Sequence, residues 1–105
     1  MKKSLLLCFL FLCIIESAYC QFYTISGKLL DKKHQTPIEY ATISISDLGL
    51  AVTSDIEGKF TIKNIPAGFF ELNISILGYE KKAFKIQVDK NKNDLLFYLA
   101  EDNLL

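Results

Sequence analysis

The stretch from Lys59 to Leu77, "KFTIKNIPAGFFELNISIL", decides the fold class. In it Phe60 and Ile62, then Leu72, Ile74 and Ile76, are separated by Thr61, Lys63, Glu71, Asn73 and Ser75. A period of two sends successive side chains to opposite faces of a pleated strand, whereas an amphipathic helix repeats every 3.6 residues. The apolar positions are rich in Ile and Phe, which suit a half-buried sheet surface. Between the two runs lies "IPAG", with Pro66 and Gly68 at the second and fourth positions that a type I turn prefers. The stretch is two strands joined at a corner.

The same period continues in both directions. Expected strands are "FYTISGKLL" (22–30), "YATISIS" (40–46), "LAVTS" (50–54), "KFTIK" (59–63), "FFELNISIL" (69–77), "KAFKIQV" (82–88) and "LLFYLA" (95–100). Ile43, Ile45, Phe84, Ile86 and Val88 join the expected buried face, and Thr42, Ser44, Lys85 and Gln87 the wet one. In "DIEG", Asp55 and Gly58 fill the first and fourth positions of a second type I turn. "DKKHQTP" (31–37) is a longer polar connection closed by Pro37, and "DKNKND" (89–94) is expected to be a charged hairpin loop between the sixth and seventh strands. Seven short strands with one apolar face each predict an all-β protein, a small seven-stranded, Greek-key-like β-sandwich.

Ahead of the strands, Lys2 and Lys3 precede an apolar run from Leu5 to Ile15, followed by Glu16 and "SAYC". This is the layout of a secretory signal peptide. The run is shorter than the roughly 18 residues expected of a spanning helix. The small pair Ala18 and Cys20 places cleavage after Cys20 and leaves Gln21 first. Acylation of Cys20 is the alternative, disfavoured by the bulk of Tyr19 where such sites take small residues. The expected organisation is a signal peptide over 1–20, a β-sandwich over 21–100, and a tail or the start of a linker over 101–105. Localisation is then the periplasm or outer membrane, or secretion.

All 3 cysteines, Cys8, Cys13 and Cys20, lie in the segment to be removed, so the exported domain is expected to be held by its core without disulfides. With 12 basic and 12 acidic residues the formal net charge is +0, which offers no basic excess to a nucleic acid. A domain this small buries roughly 60 to 65% of its unfolded surface and leaves no room for a deep catalytic cleft.

Each residue that could carry chemistry has a structural reading beside the functional one. Asp55, Glu57 and Gly58 resemble the start of a calcium loop, but "KFTIK" follows and supplies no further oxygen ligands, so they are turn residues. His34 is the 1 histidine of the chain, too few for a hydrolytic zinc site, and neither HxxE nor HExxH is present. A nucleophile made of His34 with Ser26 or Ser44 is weaker than a solvated loop histidine. Asn73-Ile74-Ser75 matches a glycosylation pattern inside a strand. Phe69, Phe70, Tyr79, Phe97 and Tyr98 are assigned to the core, with a sugar-stacking platform as the alternative; Tyr40 and Tyr23 are better placed for exposed contact. No catalytic, metal or cofactor residue is assigned.

With the strands placed, Gly27, Pro37, Ala41, the "TSDIEGKF" corner, the "IPAG" turn and "LGY" at Gly78 and Tyr79 fall in an order that resembles a carboxypeptidase regulatory-like domain of the transthyretin type. The resemblance covers about Phe22 to Leu99. It implies a transthyretin-like sandwich without the peptidase chemistry of the family's name. In the family the module follows the signal peptide of outer-membrane transporters energised by TonB, and it also occurs on secreted peptidases and surface proteins. The resemblance therefore implies a non-catalytic exported interaction module, with a protein partner such as its own transporter barrel or the TonB system, membrane association through that partner, and no nucleic acid. A carbohydrate- or peptide-binding module is the alternative.

Overall fold

The computed structural model describes residues 21–102. The expected signal peptide over 1–20, with its cleavage or acylation at Cys20, and residues 103–105 lie outside the described residues.

Seven strands form, as the alternation predicts: β1 (Phe22–Asp31), β2 (Thr42–Ile45), β3 (Leu50–Thr53), β4 (Lys59–Pro66), β5 (Gly68–Ser75), β6 (Lys82–Val88) and β7 (Lys92–Leu99). They make two sheets packed face to face, one ordered β4-β1-β7 and the other β3-β2-β5-β6. β2 and β3, joined by a 3-10 turn at Ser46–Leu48, form one antiparallel hairpin, and β5 and β6 form the other. Every other connection crosses from sheet to sheet. The all-β, seven-stranded sandwich is the observed architecture.

Two connections differ from expectation. "DKNKND" is no hairpin loop: β6 and β7 belong to different sheets, and β7 runs parallel to β1. Sheets stack about 10 Å apart, a gap that three residues can span, so a short polar loop serves a crossover as well as a hairpin. Its asparagines seat on β1, where Asn91 Oδ1 accepts from the Thr24 amide at 2.9 Å and Ser26 Oγ lies 3.3 Å from Asn93 Oδ1. "IPAG" is a corner but not a four-residue turn. β4 continues through Ile65 and Pro66, which pairs with Phe22, and Ala67 alone separates β4 from β5. Gly68, at φ 151°, takes the bend.

Both neighbours of β1 carry a bulge, one on each side of Ile25. Three residues of β1, Tyr23 to Ile25, are matched by four of β4, Ile62 to Ile65, and three, Ile25 to Gly27, by four of β7, Lys92 to Leu95. Asn64 (φ 63°) and Asp94 (φ 63°) sit in the left-handed region at these points, a conformation Asn and Asp tolerate better than other side chains. Beyond the bulge, Gly27 lets β7 approach closely: a Cβ there would stand 2.6 Å from the Leu95 carbonyl oxygen.

The core gathers Ile25 and Leu29 of β1, Ile43 and Ile45 of β2, Phe60, Ile62 and Ile65 of β4, Leu72 and Ile74 of β5, Val88 and Leu99, capped by Ile38 and Ala41 from the β1–β2 connection. Of the residues expected inside, Ile76, Phe84 and Ile86 are only half-buried, the last two because β6 is an edge strand. Ser44, Asn73 and Ser75, expected in water, are half-buried too. Phe97 packs 4.6 Å from Phe84 and 6.1 Å from Phe60, ring centre to ring centre, and so links the two sheets. Phe69 and Tyr98 were expected in the core and are not: they are 79% and 37% exposed. The period explains both, since Phe70 and Leu72, and Phe97 and Leu99, hold the inward positions of β5 and β7.

Candidate functional site

Four strand edges border the two sheets, and three are blunted. β3 is four residues long and lies against β4 at the corner of the sandwich. β4 carries Lys59, Lys63, Pro66 and its bulge, and β6 carries Lys82 and Lys85. Short length, lysine, proline and bulges all discourage a second chain from pairing. β7 differs. From Asp94 to Leu99 it holds no Lys or Pro, and Leu95 to Leu99 is an unbroken apolar run. Leu95, Phe97 and Leu99 point inward, while Leu96 (49% exposed) and Tyr98 point out beside the open edge. Among the described residues no strand lies on its outer side. The unpaired amides and carbonyls of such an edge can receive an extended segment of a partner.

At the end of the sandwich where β7 finishes, a buried carboxylate ties three segments together. Asp31 closes β1 and is 2% exposed. Its Oδ1 accepts from the amides of Lys33 (2.9 Å) and His34 (2.8 Å), and His34 Nδ1 lies 3.3 Å from the same atom. Its Oδ2 accepts from the Tyr79 hydroxyl at 2.9 Å. The His34 amide above all, helped by Tyr79 and Lys33 against the effect of burial, holds the Asp31 carboxyl down to about 2. Burial, then the Asp31 carboxylate, pushes the Tyr79 hydroxyl up to about 12. Chain past β7 joins the clasp as a strap: the Glu80 amide donates to Ala100 O and the Asp102 amide to Gly78 O, each at 2.9 Å, with Tyr79 facing Glu101. Glu101 and Asp102, read from sequence as a tail, are thus paired with the β5–β6 connection.

Asp31, His34 and Glu101 each bring a ligand atom within 4.8 Å of the others, a set that could approach a cation. Both Asp31 oxygens already accept hydrogen bonds, so the arrangement is a clasp that fastens three chain segments. Sequence reasoning missed Asp31. The signal was present: an Asp directly after a strand and ahead of a polar turn is placed to accept from the amides two and three residues on.

The residues weighed from sequence lie apart. Asp55 Oδ1 accepts from the amides of Glu57 (2.9 Å) and Lys59 (2.8 Å), and its carbonyl accepts from the Gly58 amide at 2.9 Å, a closed turn. Gly58 has φ 78°, and a Cβ on it would stand 2.5 Å from the Leu29 carbonyl oxygen. Glu57 pairs instead with Lys59 Nζ at 2.9 Å on the surface, which raises the Lys59 ammonium. His34 faces Asp31, whereas Ser26 faces Asn93 and Ser44 sits within β2, so no His–Ser pair forms. Asn73 lies inside β5, its Nδ2 donating to Ser46 Oγ at 3.4 Å. Tyr40, at φ 62° and 72% exposed, stands free at the mouth of a depression it shares with Leu77 and Lys81. Tyr23 is half-buried and donates to Gln21 Oε1 at 2.9 Å.

The model of the family described as CarboxypepD_reg-like domain matches residues 25–105. Among curated protein sequences none matches the chain. Solved structures share its fold. A chain of the type II cohesin–X–dockerin complex of Acetivibrio cellulolyticus, an interface mutant, is 22% identical with a TM-score of 0.63, over 71% of this chain and 52% of that one. The 5-hydroxyisourate hydrolase of Klebsiella pneumoniae is 19% identical with a TM-score of 0.59, over 76% and 92%. The pilus 2b backbone protein of group B streptococcus is 12% identical with a TM-score of 0.60, over 77% and 42%. The chain therefore spans about half the length of the cohesin–X–dockerin chain it matches. Identities this low carry the transthyretin-like sandwich and nothing of the neighbours' activities.

Proposed function

The chain belongs to the CarboxypepD_reg-like domain family, and from that membership we propose that it is a non-catalytic, exported interaction module that docks a partner protein through the open edge of β7. The observation that carries this is the second half of the β7 edge: Lys92 and the bulge lie at its start, but Leu95 to Leu99 carries neither lysine nor proline and presents Leu96 and Tyr98 beside unpaired backbone. An extended segment added there would gain main-chain hydrogen bonds and an apolar contact at alternate positions. By the resemblance of its turns, the module is the periplasmic leading domain of a TonB-dependent outer-membrane transporter or a part of one. The partner is then the transporter barrel or the TonB system. The clasp supports a role without bond-making, because its one buried carboxylate is engaged by donors of its own chain.

A glycan-binding reading asks for several exposed aromatics on one face. Phe69 on β5 and Tyr40 in the β1–β2 connection stand apart, and Phe22 and Tyr98, which share the β1–β7 sheet, lie at its opposite ends.

Cell fractionation followed by affinity capture tests the proposal. Outer-membrane association is expected, with a transporter or a TonB-system protein co-purifying and lost from Leu96→Lys. Capture unaffected by Leu96→Lys would move the docking surface elsewhere. Retention on a glycan column that Tyr40→Ala abolishes would favour the binding-module reading. Hydrolysis of a peptide by the purified protein, lost in His34→Ala, would overturn the non-enzymatic one.

A further inference from the structure

β6 and β7 are the outer strands of their sheets on one side of the sandwich, opposite the corner where β3 lies against β4. Their inward residues meet along a seam that is only half closed. The rings of Phe84 and Phe97 stand 4.6 Å apart, centre to centre, yet both remain half-buried, as do Ile86 and Leu95, whereas Phe60 and Ile62 of β4 are 3% and 1% exposed. Backbone hydrogen bonds tell which groups of β7 face away from β1. Leu99 O accepts from the Lys32 amide on the β1 side, and Ala100 O accepts from the Glu80 amide on the other. Successive residues of a strand alternate in this respect, so Leu96 and Tyr98 turn their amides and carbonyls outward with Ala100. Residues 78–80 already occupy that outer side, antiparallel to 100–102, with Tyr79 opposite Glu101. They are the first rungs of a ladder whose next two, at Tyr98 and Leu96, are open among the described residues. The bulge at Asp94 ends the run.

Resting on the reading that β7 docks a partner, we propose what the edge accepts and in which direction: an uncharged, β-prone apolar segment that runs antiparallel to β7, begins beside Glu80, ends beside Asp94, and closes the β6–β7 seam with its central side chain. Residues 78–80 set the polarity. A segment that continues their line inherits their pattern, so its residues opposite Tyr98 and Leu96 each exchange a pair of hydrogen bonds with β7, and the antiparallel ladder is the more stable one per residue. Opposite Phe97 the two chains come closest, with Cα atoms about 4.5 Å apart. The side chain at that place points inward beside Phe97 and Phe84, where a leucine, isoleucine or phenylalanine takes the remaining apolar surface of the seam out of water. A carboxylate or ammonium there would lose its hydration without gaining a partner, because Leu95 to Leu99 offers no charge to answer it. The residues on either side of the centre point outward with Leu96 and Tyr98, where branched or aromatic side chains make favourable cross-strand pairs.

Synthetic peptides supply the probe: a seven-residue strand of alternating threonine and leucine with leucine at its centre, capped at both ends, and a twin with glutamate in place of the central leucine. A nitroxide on the first or the last residue of the peptide broadens the amide NMR signals of the protein that lie near it. With the label on the first residue, Glu80, Lys81 and Ala100 are expected to broaden, and with the label on the last, Asn93 and Asp94. Exchange of the two sets would overturn the antiparallel polarity, and broadening along β3 or β4 instead would overturn the place. The glutamate twin is expected to bind severalfold more weakly, and equal binding would remove the seam from the site. A leucine peptide that fails to bind, while capture of a partner protein is still lost in Leu96→Lys, would overturn this inference and leave the docking reading standing. Capture indifferent to Leu96→Lys would take both down together.

Discussion

Asp31 combines burial with charge because three donors converge on one carboxylate, the amides of Lys33 and His34 and the Tyr79 hydroxyl, with His34 Nδ1 beside them, so ionisation is favoured inside the protein. Its folded value of about 2 lies below the ordinary 3.8, so the stability it contributes is present above 3.8 and is lost as pH falls toward 2. Tyr79 works at the opposite limit. Its hydroxyl is raised from 10.0 to about 12, so its contribution is present below 10.0 and is lost as pH rises through that interval. Urea titrations at stepped pH are expected to show both limbs, and Tyr79→Phe to flatten the alkaline one while lowering neutral-pH stability by about 1 to 2 kcal/mol. A parent profile that stays level between 3.8 and 2 would remove Asp31 from this role. The "DIEG" corner makes a second claim at this scale. Gly58→Ala meets both a positive φ and the Leu29 carbonyl oxygen, and is expected to cost about 2 to 4 kcal/mol, whereas Asp55→Asn keeps an acceptor and costs under about 1 kcal/mol. Thermal melts should be indifferent to calcium. A calcium-dependent rise that Asp55→Asn abolishes would make the corner an ion loop.

Strands are the scale at which the chain is most legible. Alternation along β4 and β5 follows from the pleat alone, and it correctly sends Ile62, Leu72 and Ile74 inward. Leu72→Ala in central β5 is therefore expected to cost about 2 to 5 kcal/mol by calorimetry, and Leu96→Lys on the outer face of β7 about 0.5 kcal/mol or less. The partnership of strands is not legible, because pairing is decided between segments far apart in sequence. Nothing local in "DKNKND" says that β7 leaves β6 to lie beside β1. The bulges at Asn64 and Asp94 were hidden for a related reason, since one extra residue appears only against a partner's register. Phe69 shows that period outranks residue type: an aromatic on the outward phase of a strand stays outside. Asp31 shows that a polar residue at a strand end is easily taken for loop when the donor that completes its burial, the Tyr79 hydroxyl, comes from a segment far along the chain.

For the molecule as a whole, first and last strands are partners, and this couples completion to folding. Pairing of segments so distant in sequence requires a large loop to close before any contact rewards it, and such topologies refold on roughly the millisecond-to-second scale. Stopped-flow refolding is expected to fall in that range. A chain truncated before Lys92 should lack a cooperative melt altogether, because β1 then has an open edge and the core lacks Leu99. A cooperative melt in the truncated chain would show that β7 is an accessory to a core already closed without it. The arrangement also bears on passage through a membrane, for a protein that we propose is exported. Of the seven strands synthesis delivers β1 first and β7 last, so the growing chain cannot close its three-stranded sheet until the last strand of the domain has been made. The topology thereby delays its own closure, and the domain stays threadable until its last strand has been made.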